Sequence, residues 1–130
     1  MNKAKPKVLV VDDERVIADT LTMILSHSGF EARAAYSGEA ALELVAEFQP
    51  DMLISDVIMG NIDGIEAAIR IRTMRPGIKI LLFSGQAATA DLLKAARAQG
   101  NDFEIMTKPV HPKDLLKRLR TESGSSAAKR

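Results

Sequence analysis

The chain lacks cysteine and tryptophan altogether, and its aromatic residues amount to one tyrosine and four phenylalanines among 130 residues. Without cysteine, a disulfide framework, a thiolate zinc site and a cysteine nucleophile are all excluded. No apolar run approaches the roughly 18 residues that a membrane-spanning helix needs. The basic N-terminus is followed by only four apolar residues, Val8–Val11, which are too few for the apolar core of a signal peptide. We therefore expect a cytoplasmic protein that does not enter a membrane.

An excess of charge of one sign is also lacking, since 18 basic residues face 17 acidic ones and the formal net charge is +1. The small basic excess comes from the two ends of the chain. Residues 1–7 carry three lysines, and residues 121–130 carry two basic residues and one acidic residue, which leaves 13 basic against 16 acidic residues in 8–120. Because phosphate contacts need clustered lysine and arginine, this mildly acidic centre argues against direct binding of nucleic acid.

What is present is a regular alternation of short apolar runs with segments of helical period. The runs predict five strands: Lys7–Val11, Glu31–Ala35, Met52–Ser55, Lys79–Phe83 and Ile105–Thr107. Strands that alternate with helices form a parallel sheet covered by helices on both faces. We therefore predict one α/β domain with five helices over residues 7–120. The polar, non-periodic residues 121–130 are predicted to be a disordered tail.

Several residues mark the predicted ends of helices. Gly29 stands at the C-terminal end of the first helix, and Ser37 is suited to cap the N-terminus of the second. Pro112 suits the first position of the fifth helix. His111 takes the N-cap position before it, where aspartate or serine would cap better.

Polar residues follow four of the predicted strands at their carboxyl ends. Asp12 and Asp13 follow the first strand, Asp56 the third, Ser84 the fourth and Lys108 the fifth. In an open α/β sheet these strand ends meet at the ligand site, so we predict that the five side chains converge there. Taken singly, each has a plain structural explanation as a helix cap, a turn residue or an exposed charge. Taken together, three carboxylates favour a hard divalent cation such as Mg²⁺, and the lysine and hydroxyl suit phosphoryl transfer onto a carboxylate.

Four motifs strengthen this interpretation: VVDDE at 10–14, SDVIMGNIDGIE at 55–66, LLFSG at 81–85 and TKPV at 107–110. Together they resemble the receiver domain of bacterial two-component response regulators, of the chemotaxis-regulator type, and the resemblance spans residues 7–120. It implies a flavodoxin-like, doubly wound fold whose five parallel strands lie in the order 2-1-3-4-5. It also implies that a histidine kinase or a histidine phosphotransfer protein supplies the phosphoryl group.

The resemblance assigns the acceptor and metal roles by position. Asp56 would receive the phosphoryl group. Asp13 would bind Mg²⁺, or Mn²⁺ in its place, and Asp12 would bind the ion directly or through water. The Asp56 carboxylate and the backbone carbonyl of Ile58 would complete the protein ligands. Since the apolar side chain of Ile58 stands two residues after Asp56 and cannot orient a water, slow self-dephosphorylation is expected.

The phosphate-binding and switch roles fall on the last two strands. The resemblance implies that Lys108 binds the phosphoryl group and that the Lys108–Pro109 peptide bond is cis. It also implies that the hydroxyl of Ser84 moves towards the phosphoryl group as the first part of a conformational switch. The second part is an aromatic residue in the family, and Ile105 takes its place here. Phe103, two residues earlier, either substitutes for that aromatic residue or is a plain core residue.

The leading hypothesis is a stand-alone receiver, and not an enzyme, that signals by phosphorylation-controlled binding of a partner. We expect a monomer or a weak, phosphorylation-dependent dimer. Gly60, where the family usually has proline, and the missing aromatic residue favour instead a degenerate receiver that acts without phosphorylation. A phosphorelay intermediate would use the same site. An aspartyl phosphatase is disfavoured, because Ile58 stands where a second aspartate would act as the general acid.

Overall fold

The computed structural model describes residues 5–60, 62–85, 89–101 and 103–124, and within them strands and helices alternate. The strands are β1 (Lys7–Val11), β2 (Glu31–Ala35), β3 (Met52–Asp56), β4 (Lys79–Ser84) and β5 (Glu104–Thr107). The helices are α1 (Arg15–Ser26), α2 (Gly38–Phe48), α3 (Gly64–Met74), α4 (Thr89–Ala98) and α5 (Pro112–Gly124). In the part of the chain that is described, no helix combines the length and the apolar character that crossing a lipid bilayer requires.

The five strands form one parallel sheet in the order β2-β1-β3-β4-β5. This order confirms the flavodoxin-like, doubly wound fold with five helices that the sequence implied. The strand order reverses direction beside β1, so the carboxyl ends of β1 and β3 flank the crevice in which such sheets bind ligands.

Alternate side chains of the strands point into two separate cores. On one face, Leu9 and Val11 of β1 pack with α2, α3 and α4. On the other face, Val8 and Val10 pack with α1 and α5. Each fully buried side chain of this kind stabilises the fold by roughly 1.5–3 kcal/mol. Both faces of the central strands are therefore covered, and the polar strand ends stand on a rigid frame.

The helix ends follow the local signals in most places. The Oγ of Ser37 accepts a hydrogen bond from the backbone N–H of Ala40, which confirms it as the N-cap of α2. His111 also caps, since its Nδ1 accepts a hydrogen bond of 3.2 Å from the backbone N–H of Lys113. The C-cap of α1 is His27. Gly29, two residues later, has a φ of +98°, a left-handed conformation that reverses the chain before β2.

Some boundaries differ from those expected. Asp56 is the last residue of β3 and does not follow it, because the ladder with β4 continues and the N–H of Val57 still donates to the carbonyl of Phe83. Ser84 likewise ends β4. Helix α5 runs through Gly124, four residues beyond the predicted domain boundary at residue 120. Residues 125–130 of the predicted disordered tail lie outside the described residues.

Candidate functional site

The Asp56 carboxylate at the end of β3 is held by two donors. Its Oδ2 accepts a hydrogen bond from Nζ of Lys108 at 2.6 Å, and its Oδ1 accepts a longer one, 3.3 Å, from the backbone N–H of Ile58. The Lys108 side chain is 29% exposed and that of Asp56 is 12% exposed. The pair is therefore a partly buried ion pair that an incoming group can still reach from solvent.

Gly64, the first residue of α3, fixes the backbone around Asp56. A Cβ placed on Gly64 would lie 2.0 Å from the carbonyl oxygen of Asp56, and the N–H of Gly64 donates to the carbonyl of Val57 at 2.8 Å. Only glycine allows this close approach of two backbones. The sequence interpretation assigned no role to Gly64. The only local signal is its place after Asp63, whose carboxylate caps α3 by accepting the N–H of Glu66.

Asp12 carries a carboxylate oxygen to which no described residue donates a hydrogen bond. Its side chain is buried, with 1% of the residue exposed. Oδ1 accepts the backbone N–H of Glu14 at 2.9 Å, whereas Oδ2 is buried and has no hydrogen-bond partner among the described residues. Burial raises the pKa of Asp12, and the charges of Asp56 and Asp13 add to the rise, against the opposing effects of the Glu14 N–H and of Lys108. A buried carboxylate oxygen without a donor is uncommon in native proteins and points to a missing ligand.

Lys108 balances these negative charges. Burial by itself would lower the pKa of Lys108, but its hydrogen bond to Asp56 and the charges of Asp56, Asp12 and Glu14 outweigh burial, so the pKa is raised. The backbone holds the side chain in place, because the N–H of Lys108 donates to the carbonyl of Ser84 at 3.0 Å. The Lys108–Pro109 peptide bond is cis. The ammonium is thus the counter-ion of the acidic pocket.

The predicted metal ligands are only partly assembled. Asp13 is exposed, and no three acidic or histidine side chains of the described residues are close enough together to form a ready-made metal site. The unpartnered Oδ2 of Asp12 and the weakly bonded Oδ1 of Asp56 are oxygen donors of the kind that Mg²⁺ prefers. Since Mg²⁺ keeps several waters in protein sites, two carboxylates and a carbonyl such as that of Ile58 suffice. The donor set therefore fits a hydrated divalent cation.

We expect Asp12→Asn to stabilise the protein in EDTA by about 1 kcal/mol, because it removes a buried charge and keeps an acceptor for the Glu14 N–H. The raised pKa means that the fold disfavours the ionised carboxyl. The gain should thus be present at neutral pH, shrink as the pH falls through the raised pKa, and vanish below 3.8. Urea unfolding followed by far-ultraviolet circular dichroism measures it.

The matched control is Asp13→Asn, which removes an exposed carboxylate from the adjacent position and should change stability in EDTA by much less. Adding Mg²⁺ should stabilise the wild type more than Asp12→Asn. An Asp12→Asn protein that is less stable than the wild type in EDTA at neutral pH would contradict the assignment.

Ser84 and Gly85 border Lys108 at the end of β4. Ser84 is half-buried and pairs in register with Thr107. A Cβ on Gly85 would lie 3.1 Å from both Cβ and Cδ of Lys108, so a larger residue there would press on the lysine. The structure therefore brings Asp12, Asp56, Ser84 and Lys108 to one edge of the sheet, with Asp13 on its exposed side.

The two candidate switch residues lie on the face of the sheet covered by α2, α3 and α4. Ile105 pairs in register with Leu82 and is half-buried against the core of that face, and Phe103 packs against the same core. The guanidinium of Arg72 on α3 lies 4.9 Å from the centre of the Phe103 ring and also donates a hydrogen bond to Asn101 Oδ1. Phe103 therefore contacts α3 through Arg72, and its position in the sequence does not indicate this contact.

A cleft of about 530 Å³ opens beside Lys108, between α1 and the segment that follows β5. Its lining includes Glu14, a residue to which the sequence interpretation gave no role. Glu14 follows the acidic pair directly, and the sequence signal was only its charge. Its proximity to Lys108 depends on how α1 leaves β1, which local patterns do not indicate.

The strand order and the charged strand ends define a doubly wound domain with an acidic, lysine-bearing site at the switch point. Residues 8–120 match the family described as the response regulator receiver domain. The chain belongs to this family.

Individual proteins agree with this assignment. The chain is 32% identical over 113 residues to the probable transcriptional regulatory protein TcrX of Mycobacterium tuberculosis, covering 87% of this chain and 47% of the relative. The chain thus spans about half the length of the curated relatives it matches. The signal receiver domain of an HD domain-containing protein from Pseudomonas fluorescens superposes with a TM-score of 0.84 at 26% identity, covering 96% of this chain and 99% of that one. The chemotaxis protein CheY4 of Vibrio cholerae superposes with a TM-score of 0.79 at 29% identity, covering 90% of this chain and 98% of that one.

Membership of the family carries general consequences. Receiver domains of two-component systems are phosphoacceptors and not classical enzymes, and the phosphoryl group is carried on an aspartate. They generally bind Mg²⁺ at the phosphorylation site and interact with histidine kinases or phosphotransfer proteins.

Proposed function

We propose that this chain accepts a phosphoryl group on Asp56 from a histidine kinase or a histidine phosphotransfer protein, in a Mg²⁺-dependent reaction, and signals through phosphorylation-controlled binding of a partner. One observation carries the proposal. The Asp56 carboxylate lies at the carboxyl edge of the sheet, hydrogen-bonded to Lys108 and beside a buried Asp12 oxygen for which the described part of the chain offers no hydrogen-bond partner. This arrangement offers a nucleophile, a cation and an unused cation ligand in one place.

The transfer follows from the side chains present. An oxygen of Asp56 attacks the phosphorus of a phosphohistidine, the new O–P bond forms as the P–N bond breaks, and the electron pair stays on the imidazole nitrogen. Lys108 already contacts Asp56, so a short movement carries its ammonium onto an oxygen of the transferred group. The Ser84 hydroxyl is proposed as a donor to a second oxygen. Bound Mg²⁺ would neutralise charge on the phosphoryl oxygens, held by Asp12, Asp13, Asp56 and the carbonyl of Ile58.

The surroundings of Asp56 support a long-lived phosphoryl group. Ile58 is 46% exposed, and its apolar side chain offers no base or hydrogen-bond acceptor to orient an attacking water. Slow self-dephosphorylation is therefore part of the proposal. The degenerate-receiver alternative loses support, because the acceptor, the lysine and the unpartnered metal ligand are arranged together despite Gly60 and Ile105.

We infer that the receiver's partners are proteins and not nucleic acid, since residues 8–120 carry 13 basic and 16 acidic residues. Phosphorylation would bias an existing equilibrium between two arrangements of the switch segments, and the partner would bind one of them. A monomer, or a weak dimer that depends on phosphorylation, fits this function.

The test is incubation with phosphoramidate and Mg²⁺ followed by intact mass measurement. We expect a single phosphoryl group on the wild type and none on Asp56→Asn, which keeps the shape of the side chain but lacks the nucleophilic carboxylate. EDTA should suppress the reaction. If Asp56→Asn gained the same acid-labile group as the wild type, the acceptor would lie elsewhere and the proposal would fail.

A further inference from the structure

Strand β2 forms one edge of the sheet, and its outer side is open to pairing. Among the described residues its only strand neighbour is β1. The N–H of Glu31 and the carbonyl of Ala35 form hydrogen bonds with residues that flank β1. Because this direction alternates along a strand, the N–H and C=O groups of Ala32 and Ala34 point away from the sheet. Such an edge can accept a further strand.

A groove of about 250 Å³ lies beside this edge, between β2 and α2. Small or apolar side chains line it, among them Ala34, Ala40 and Leu44, together with Glu43 and Glu47 of α2. Long charged side chains on an edge strand discourage pairing, and alanine does not have this effect. The groove therefore offers an extended segment a place beside the open edge.

The surroundings of the groove are acidic, since β2 and α2 together carry four glutamates and one arginine. The arginine, Arg33, lies 4.9 Å from the centre of the Phe48 ring and 3.9 Å from Glu47, whose side chain is 76% exposed. An ion pair this long and exposed contributes little. Glu43 is exposed and forms no ion pair with a described residue. The charges therefore favour a basic segment in the groove.

Lysines at alternate positions of an extended segment match the two glutamates. Glu43 and Glu47 are four residues apart on α2, which corresponds to a rise of about 6 Å along the helix. Side chains two residues apart on a strand point to the same face and lie about 6.7 Å apart. The sequence of residues 1–5, MNKAK, places Lys3 and Lys5 at this spacing. Residues 1–5 therefore have the charge and the spacing that the groove requires.

Residues 1–5 are too short to reach the groove of their own chain. The carbonyl of Pro6 accepts the N–H of Glu31, so residues 1–5 leave β1 at the amino end of β2. The groove lies near the carboxyl end of β2, beside Ala34 and Tyr36, and the four residues between the two ends of the strand span about 13 Å. Five extended residues span at most about 17 Å, and reversing the chain uses several of them. A second copy of the chain has no such restriction.

We propose that residues 1–5 of one copy of the chain dock beside β2 of a second copy. The two lysines of the docked segment face the two glutamates of α2, and its backbone pairs with the outer N–H and C=O groups of β2. The contact does not involve Asp56, so this self-association needs no phosphorylation and goes beyond the proposed function.

Sedimentation equilibrium of the full chain, without a phosphodonor, tests the proposal. We expect reversible self-association at low salt with a Kd of about 0.1–1 mM, because a docked segment of five residues buries less than the ~1,200 Å² of a stable interface. Raising the ionic strength to about 0.5 M should weaken the association roughly tenfold, since exposed charges are screened. A wild type that stays monomeric at low salt and about 1 mM overturns the proposal, whatever else occupies the groove.

Charge reversal tests the pairing of lysines with glutamates. The variant Glu43→Lys with Glu47→Lys and the variant Lys3→Glu with Lys5→Glu should each lose self-association. An equimolar mixture of the two should associate again, because the acidic segment of one fits the basic groove of the other, and the basic segment fits the acidic groove. A mixture that stays monomeric overturns the proposal.

The control is Asp91→Lys with Asp114→Lys, which makes the same change of net charge as the groove variant at exposed positions on α4 and α5. This protein should associate as the wild type does, and so should Asp56→Asn. If the control and the groove variant lost association equally, only net charge would matter and the docking site would be overturned. The proposed phosphorylation of Asp56 would stand in either case.

Ala34→Pro tests the backbone pairing. Proline at this position removes an N–H that points away from β1, keeps the ladder with β1, and puts a ring where a further strand would pair. We expect the variant to lose self-association and to unfold at nearly the urea concentration of the wild type. Association that survives Ala34→Pro would overturn the added strand.

Discussion

Gly64→Ala is expected to destabilise the protein by about 3 kcal/mol or more, a large part of the ~5–15 kcal/mol that holds a typical domain folded. The new Cβ would lie 2.0 Å from the carbonyl oxygen of Asp56, and a backbone atom cannot rotate away as a side chain can. Relief requires α3 to move off the end of β3, which would strain the hydrogen bond between Gly64 and Val57. Urea unfolding monitored by circular dichroism gives the loss, and slower phosphorylation of Asp56 should accompany it.

Helix propensity alone predicts the opposite sign, since alanine is favoured over glycine by about 1 kcal/mol inside a helix. Gly60→Ala is the matched control, because nothing lies within 4 Å of a Cβ at Gly60 and its φ is not in the left-handed region. We expect that change to be neutral or to stabilise by roughly 0.4–1 kcal/mol. A Gly64→Ala protein as stable as the wild type would show that the two backbones are not in close contact.

The fold was predictable because it depends on patterns that are local. Apolar runs such as Val8–Val11 are long enough for strands and too short for helices, and their alternation with helical segments dictates a parallel sheet. Once the sheet is parallel, the carboxyl ends of its strands share one edge. The approximate location of Asp12, Asp56 and Lys108 therefore followed from the sequence, although the strand order came from the resemblance to a family.

The finer features of the site were not predictable, because they depend on the packing of elements that are distant in sequence. In the sequence, Gly64 is recognisable only as a glycine at the start of a helix. Its contact with Asp56 exists because α3 packs tightly on β3. That no described residue donates to Oδ2 of Asp12 depends on what surrounds this oxygen in three dimensions. Glu14 became notable only through its place in the cleft beside Lys108.

The structure shows how the chain differs from the family at the position of the switch aromatic residue. Ile105 lies in β5 and packs into the core, whereas Phe103 lies just before β5 with the guanidinium of Arg72 over its ring. An aromatic residue is thus present two positions before Ile105, where it contacts Arg72 of α3. The pairing of β4 with β5, which on β4 runs from Leu81 to Ser84, connects this segment directly to Ser84.

Lys108→Met is expected to slow the phosphorylation of Asp56 by about 100-fold or more, the usual effect of deleting a donor that stabilises developing charge in a reaction. Methionine keeps the length and most of the apolar stem but removes the ammonium that lies 2.6 Å from Oδ2 of Asp56. The Mg²⁺ affinity should rise at the same time, because the ammonium and the metal compete for the same carboxylates. Calorimetry can measure the affinity, since the chain has no tryptophan for fluorescence.

Measurements of stability should distinguish the role of Lys108 in phosphoryl transfer from its role as the counter-ion of the acidic pocket. In EDTA, Lys108→Met leaves the Asp56 and Asp12 carboxylates without their counter-ion, so the variant should be less stable than the wild type, and Mg²⁺ should restore much of the loss. Lys117→Met, an exposed position on α5, controls for the general loss of a positive charge and should leave rate, affinity and stability nearly unchanged. Weaker Mg²⁺ binding by Lys108→Met would refute the competition. Such a result would mean that the lysine helps to assemble the acidic pocket around the ion. It would not then be a counter-ion that Mg²⁺ displaces.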